Sequence, residues 1–172
     1  MSPEEPDANR SREWPASVRK DNLVVARWRR RRLMTQDGGC LCGRVRFRVA
    51  AAPLDSGYCH CRMCQQNSGA PVVAWVTFPA AGFSWISGEP SSYASSAHSK
   101  REFCATCGSY LVFRSTKFPD EVSVNTASFD NTNAFPPRRH LFVESQISWF
   151  RTADDLPREH GYGGLVPTDS DS

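Results

Sequence analysis

No stretch of this 172-residue chain is apolar for long enough to cross a membrane as a helix, and no secretory h-region follows its N-terminus. The expected setting is therefore cytoplasmic, with no membrane partner. Clustered thiols in a reducing compartment act as metal ligands rather than disulfides. Seven cysteines are also an odd number, which a pure disulfide scheme does not absorb. The sequence has no internal repeat and little helical patterning. It also lacks excess charge outside its N-terminal extension. Residues 1–34 carry nine Lys or Arg and five Asp or Glu, a net of +4. The whole chain carries +3, so residues 35–172 stand at −1. Any argument from basicity to nucleic acid applies to the extension alone.

The extension is polar, is broken by Pro3, Pro6 and Pro15, and ends in an arginine run around Trp28. Its composition predicts a disordered segment. Met34 lies just before the first cysteine motif, so a misassigned start is one reading of residues 1–34. An arm that neutralises nucleic-acid phosphate is another. Glu4, Glu5, Asp7, Glu13 and Asp21 argue against a transit peptide.

From Gly38 onward the pattern turns to short β segments. Residues 44–49 alternate, which places Val45, Phe47 and Val49 on one face. Residues 72–78 are apolar on both faces and predict a central strand stopped by Pro79. Residues 83–86, 109–113, 121–126 and 140–144 are further strand candidates. A single helical turn is expected over 61–67. The domain is thus expected over 35–156, mainly β as a sandwich or coiled sheet. A loose tail rich in Gly, Pro, Ser and Asp is expected over 157–172.

The cysteines fall into three clusters, and their arithmetic is four plus three. Cys40 and Cys42 form a C-x-C, Cys104 and Cys107 form a C-x-x-C, and each pair is followed at once by glycine (Gly43, Gly108). That glycine lets the chain turn with φ > 0, so backbone N–H groups point at the sulfurs. Two such knuckles meeting face to face make a closed tetrahedral zinc site, structural in role. Cys59, Cys61 and Cys64 lie within six residues and can reach one ion unaided. Cys61 and Cys64 share a face of a helical turn. Three thiolates on zinc leave a fourth position. Two readings of it stand. His60, His140 or a carboxylate fills it, making a second staple; or an external thiol or water fills it, making a reactive centre. Zinc softness favours the thiol, because coordination deprotonates it at neutral pH.

Three segments carry a resemblance. These are G-G-C-L-C-G-R-V-R-F (38–47), Y-C-H-C-R-M-C-Q-Q-N-S-G-A (58–70) and R-E-F-C-A-T-C-G-S-Y-L (101–111). Together they resemble the glutathione-dependent formaldehyde-activating family, which includes the centromere protein V relatives. H-L-F-V-E-S-Q-I-S-W-F (140–150) looks like that family's C-terminal strand. The resemblance runs from about 38 to 156. It implies a β-tent fold of coiled antiparallel β-sheets stapled by zinc. It also implies a structural zinc on Cys40, Cys42, Cys104 and Cys107, and a second zinc on Cys59, Cys61 and Cys64. The activity it implies is a carbon–sulfur lyase reaction, the condensation of formaldehyde with glutathione as co-substrate. Gln65, Gln66 and Asn67 stand where members often show a basic residue, which removes one partner for a substrate carboxylate.

The expected mechanism puts a substrate thiol at the Cys59, Cys61, Cys64 centre and has it attack a small aldehyde. His60, Ser68 and the amides of Gln65, Gln66 and Asn67 are candidate proton donors. Trp75, Phe78 and Trp85 are expected in the core rather than in a pocket. Arg101 is expected on a solvated strand face, with a carboxylate clamp as the alternative. His98 and His160 are expected in solvent. The rival function is a non-catalytic, zinc-stabilised binding module whose basic arm meets nucleic acid. Methionine sulfoxide reduction needs a free cysteine outside the metal sites, and no cysteine follows Cys107.

Overall fold

The structure, a computed structural model, describes residues 35–163. The basic extension, and with it any nucleic-acid arm, lies outside the described residues. Two sheets build the described part. The smaller contains β1 (Gln36–Gly39), β2 (Arg46–Val49) and β5 (Phe83–Ser87), all antiparallel. The larger contains β3 (Asp55–Cys59), β4 (Val73–Pro79), β6 (Ser91–Ser96), β7 (Ser99–Phe103), β8 (Tyr110–Ser115), β9 (Glu121–Asn125), β10 (His140–Leu141) and β11 (Arg158–Glu159). Its order is β11-β10-β3-β4-β9-β8-β7-β6, with parallel pairing where β10 meets β3 and β11. A lone bridge between Gly38 and Phe129 joins the edge of the small sheet to the turn after β9. Among the described residues one short α-helix, α1 (Arg62–Ser68), interrupts the strands. The mainly β fold with little helix, expected from the sequence, is therefore present.

Burial follows the side-chain period. Val45, Phe47 and Val49 are buried, while Arg46 and Arg48 turn outward. β4 sits between β3 and β9 as a central strand. Its Val76 and Phe78 lie in the core with Leu111, Val112, Val122 and Val124. Phe47 packs edge-on against Phe129 at 5.1 Å and Trp85 at 6.2 Å. Phe78 meets Phe135 edge-on at 5.2 Å. Such pairs each contribute about 0.5–1.5 kcal/mol beyond burial. Phe78 is thus a core residue, as the sequence suggests, whereas Trp85 is half-buried against the core and Trp75, also half-buried, is not part of it.

Two expectations change. The strand at 140–144 stops after Leu141, because Phe142 adopts a left-handed conformation (φ 58°) that turns the chain into a 3-10 turn, Val143–Ser145. The tail expected from 157 begins as docked chain. His140 N–H donates to the Pro157 carbonyl at 2.8 Å, and Phe142 N–H to the Gly161 carbonyl at 3.2 Å. β11 thus extends the large sheet beside β10. Composition cannot reveal this, since main-chain pairing needs no particular side chain.

A buried ion pair fixes that edge. Asp55, at the head of β3, pairs with Arg139, and Arg139 also donates to Glu159 at 3.2 Å. Removing one partner of such a pair strands a buried charge, at a cost of about 3–5 kcal/mol. Asp55→Asn is expected at the low end, about 3 kcal/mol, because Glu159 still faces the guanidinium. Denaturant unfolding reads this as a lower midpoint with unchanged slope.

Candidate functional site

The two knuckles are built alike. Cys40 follows β1, and its N–H donates to the Val45 carbonyl at 3.0 Å; Gly43 N–H returns to the Cys40 carbonyl at 3.0 Å. Cys104 follows β7, and its N–H donates to the Ser109 carbonyl at 3.0 Å; Gly108 N–H returns to the Cys104 carbonyl at 2.8 Å. Gly43 and Gly108 have φ of 77° and 74°. A Cβ at either position would meet nothing within 4 Å, so backbone conformation rather than space calls for glycine.

The two turns place the four sulfurs within 4.8 Å of one another. Cys42 and Cys104 Sγ are 3.8 Å apart although 62 residues separate them. Val45 N–H points at Cys40 Sγ, 3.3 Å away. Leu41 N–H donates to Ser109 Oγ at 3.0 Å and ties one knuckle to the other. The Ser109 hydroxyl and amide beside Cys107 hold its thiol down to about 5. Soft donors, four in number and supplied with N–H groups, fit a divalent metal such as zinc.

The second cluster lies at the end of a central strand. Cys59 closes β3, Cys61 caps α1, and Cys64 sits in its first turn. Cys61 Sγ accepts from Cys64 N–H at 3.3 Å. The helix ends on Gly69 in the left-handed region. The three sulfurs lie within 4.8 Å of one another, and no histidine, aspartate or glutamate among the described residues joins them within that distance. Hydrogen bonds from Cys59 and Cys64 hold the Cys61 thiol down to about 3. Hydrogen bonding to Cys61 and Cys64, then burial, pushes Cys59 up. Left to themselves the sulfurs thus favour one thiolate stabilised by two thiols. A cation is needed to make all three anionic, so this donor set also fits a metal ion.

The histidines face elsewhere. His60 and His140 are both fully buried. His60 Nε2 lies 2.8 Å from His140 Nδ1, and His140 Nε2 lies 3.0 Å from Asp154 Oδ1. The Asp154 carboxylate accepts, so His140 carries its proton on Nε2 and His60 on Nε2, which leaves His60 Nδ1 without a donor. Burial, then the neighbouring His140, pushes His60 down to about 4. Neither ring belongs to the three-sulfur cluster, so the reading that makes them its fourth ligand has no geometric support.

Most of the candidate proton donors are committed to local structure. The Gln65 side-chain amide donates to the His60 carbonyl at 2.7 Å and the Ser145 carbonyl at 3.0 Å. It staples the cysteine turn to the chain after Phe142. Ser68 Oγ donates to the Cys64 carbonyl at 2.8 Å. Gln66 and Asn67 are exposed, as are His98 and His160.

Arg101 overturns the solvated expectation. It is only 3 % exposed and lies beside Cys64. Two residues that the sequence reading missed also bear on the cluster, Tyr110 through Arg101 and Tyr162 electrostatically. Tyr110 Oη accepts from Arg101 Nη1 at 2.9 Å. Tyr162 packs edge-on against Phe142 at 4.9 Å. Its phenol is pushed up by burial and then by charge on Cys61, Cys59 and Cys64. No local spacing announces Tyr162, because it arrives with the docked chain after β11.

A family model described as glutathione-dependent formaldehyde-activating enzyme matches residues 35–145. A Halomonas elongata protein provisionally named a glutathione-dependent formaldehyde-activating enzyme is 29% identical over 127 residues, 67% of this chain and 80% of that protein. A Rhodobacter sphaeroides protein of known crystal structure aligns with a TM-score of 0.48 and 25% identity, over 55% of this chain and 88% of that one. None of the described helices is long and apolar enough to cross a membrane. The family match takes in all seven cysteines and more than half of the sequence, so this chain belongs to the glutathione-dependent formaldehyde-activating enzyme family.

Proposed function

We propose that this protein adds a small thiol of the glutathione type to a small aldehyde such as formaldehyde, with one zinc ion in each cysteine cluster. The observation that carries this reading is the unequal division of the sulfurs. Four converge in one group and three in another, and no described His, Asp or Glu joins the three. Cys40, Cys42, Cys104 and Cys107 would hold a structural ion. Cys59, Cys61 and Cys64 would hold the reactive one.

Zinc bound there would supply a site where a substrate thiol is held as thiolate at neutral pH. The reaction itself is an addition. The sulfur lone pair forms a bond to the carbonyl carbon, the C=O π bond breaks, and the thiol proton ends on the new hydroxyl oxygen. No oxidant or reductant is required, and the reverse reaction, which breaks the new C–S bond and restores the C=O and the thiol, is a carbon–sulfur lyase step.

The chain's own residues orient and protonate. Tyr162 carries a phenol within electrostatic reach of all three sulfurs. A tyrosine phenol keeps its proton at neutral pH, so Oη would donate a hydrogen bond to the oxygen where charge develops. Tyr110 is likewise pushed up, chiefly by burial, and stays a neutral phenol. Gln65 fixes the turn that carries Cys61 and Cys64. Formaldehyde accepts thiols readily without help, so positioning is the main requirement.

Purified protein is expected to contain two zinc ions per chain. It is also expected to accelerate exchange between formaldehyde and S-hydroxymethylglutathione above the spontaneous rate, read by NMR exchange. Two bound ions with no acceleration for glutathione or smaller thiols would sink the catalytic reading and leave a zinc-stapled binding module.

A further inference from the structure

We infer that Arg101 is the built-in counter-charge of the three-cysteine centre, buried beside it so that the centre accepts an anionic sulfur from outside. The inference rests on the function proposed above and adds a residue to it.

Arg101 lies on β7 and is 3 % exposed. A buried guanidinium needs an anion or a full set of acceptors. Among the described residues no carboxylate pairs with it. The adjacent Glu102 is taken by Lys100 and Arg114, each at 3.1 Å. Arg101 instead donates from Nη1 to Tyr110 Oη at 2.9 Å and from Nη2 to Cys64 Sγ at 3.8 Å. Its guanidinium carbon lies 5.2 Å from the centre of the Tyr110 ring and 5.3 Å from that of Phe113. The anionic partner of this cation is therefore the sulfur cluster. The phenol and the two rings fix its direction.

The charge count gives the fork its role. Three thiolates and a divalent ion sum to −1, and Arg101 brings the buried group to zero. An incoming thiolate then raises the charge to −1 rather than −2. In a site of low effective dielectric that difference weighs heavily on the affinity for an anion. Arginine suits the task better than lysine. Its planar fork spans phenol and sulfur together while its faces lie on aromatic rings. The same burial speaks against a clamp on a substrate carboxylate, since both terminal nitrogens are engaged and the group is not presented to solvent.

The test uses cobalt-substituted protein, with thiol binding followed by the sulfur-to-cobalt absorption bands. Arg101→Gln is expected to keep two ions per chain but to need at least about tenfold more 2-mercaptoethanol than wild type. It should show the same loss for 3-mercaptopropionate. Arg101→Lys, which keeps the charge but not the fork, should fall between the two. Unchanged affinity in Arg101→Gln overturns the inference. A loss confined to 3-mercaptopropionate also overturns it, in favour of a carboxylate clamp.

If Arg101→Gln does not fold, Tyr110→Phe decides. It frees one arm of the guanidinium and should weaken thiol binding about threefold, and no change overturns the inference. Wild-type protein that takes up neither thiol also overturns it. The functional reading fails separately, if wild-type protein binds both thiols yet does not accelerate their addition to formaldehyde.

Discussion

Replacing Cys104 by serine is expected to leave no stably folded protein. Cys104 is 1 % exposed and sits where β7 turns into β8. Its sulfur faces Cys42, which belongs to the turn between β1 and β2. On the proposed assignment one ion clamps a hairpin of the small sheet to a hairpin of the large one. A structural zinc contributes on the order of 10 kcal/mol to folding in small zinc domains. A domain of this size has a net stability of about 5–15 kcal/mol. The loss is therefore comparable to the whole, and the core alone does not offset it. Metal analysis should show fewer than two ions. Far-UV circular dichroism should lose its β signature, with no cooperative thermal transition. A Cys104→Ser protein that melts like wild type with both ions bound would end the structural role of that cluster.

Much of this site is legible along the chain because its information is local. The glycine after Cys42 and after Cys107 signals a left-handed turn. The Cys61–Cys64 spacing signals a shared helical face. Val45, Phe47 and Val49 announce an inward strand face by simple alternation. What stays hidden depends on residues far apart in sequence. His60 meets His140 across 80 positions. Tyr162 meets Phe142 only because β11 pairs with β10. β3 is hidden for another reason. Its residues Asp55, Ser56 and Gly57 disfavour strands, yet Gly57 is needed where the Arg139 carbonyl would lie 2.7 Å from an added Cβ. Arg101 misleads because Lys100, Arg101 and Glu102 read as a solvated stretch. Tertiary packing turns the middle one inward against Cys64, where its charge has a use.

Cys64→Ser should separate the two clusters. The backbone around Cys64 does not need its sulfur. The cap on α1 uses the Cys64 N–H and the Cys61 sulfur, and the helix still ends on Gly69. Gln65 keeps its hydrogen bonds to the His60 and Ser145 carbonyls. Arg101 retains the Tyr110 phenol and both rings. The four-cysteine cluster and the phenylalanine core have no part in the change. Serine does supply an oxygen, but as a neutral hydroxyl, a hard and weak donor beside two thiolates.

The variant is therefore expected to hold one ion in place of two, with an unchanged far-UV spectrum. Its transition should remain cooperative at a moderately lower temperature. Acceleration of the thiol–aldehyde reaction should fall by at least about 100-fold, because the group that orients and ionises the thiol is gone. The contrast with Cys104→Ser is the decisive point, since both lose one sulfur from one cluster. If Cys64→Ser also sheds both ions and unfolds, the three-cysteine centre is a second staple and the reaction has no place in this fold.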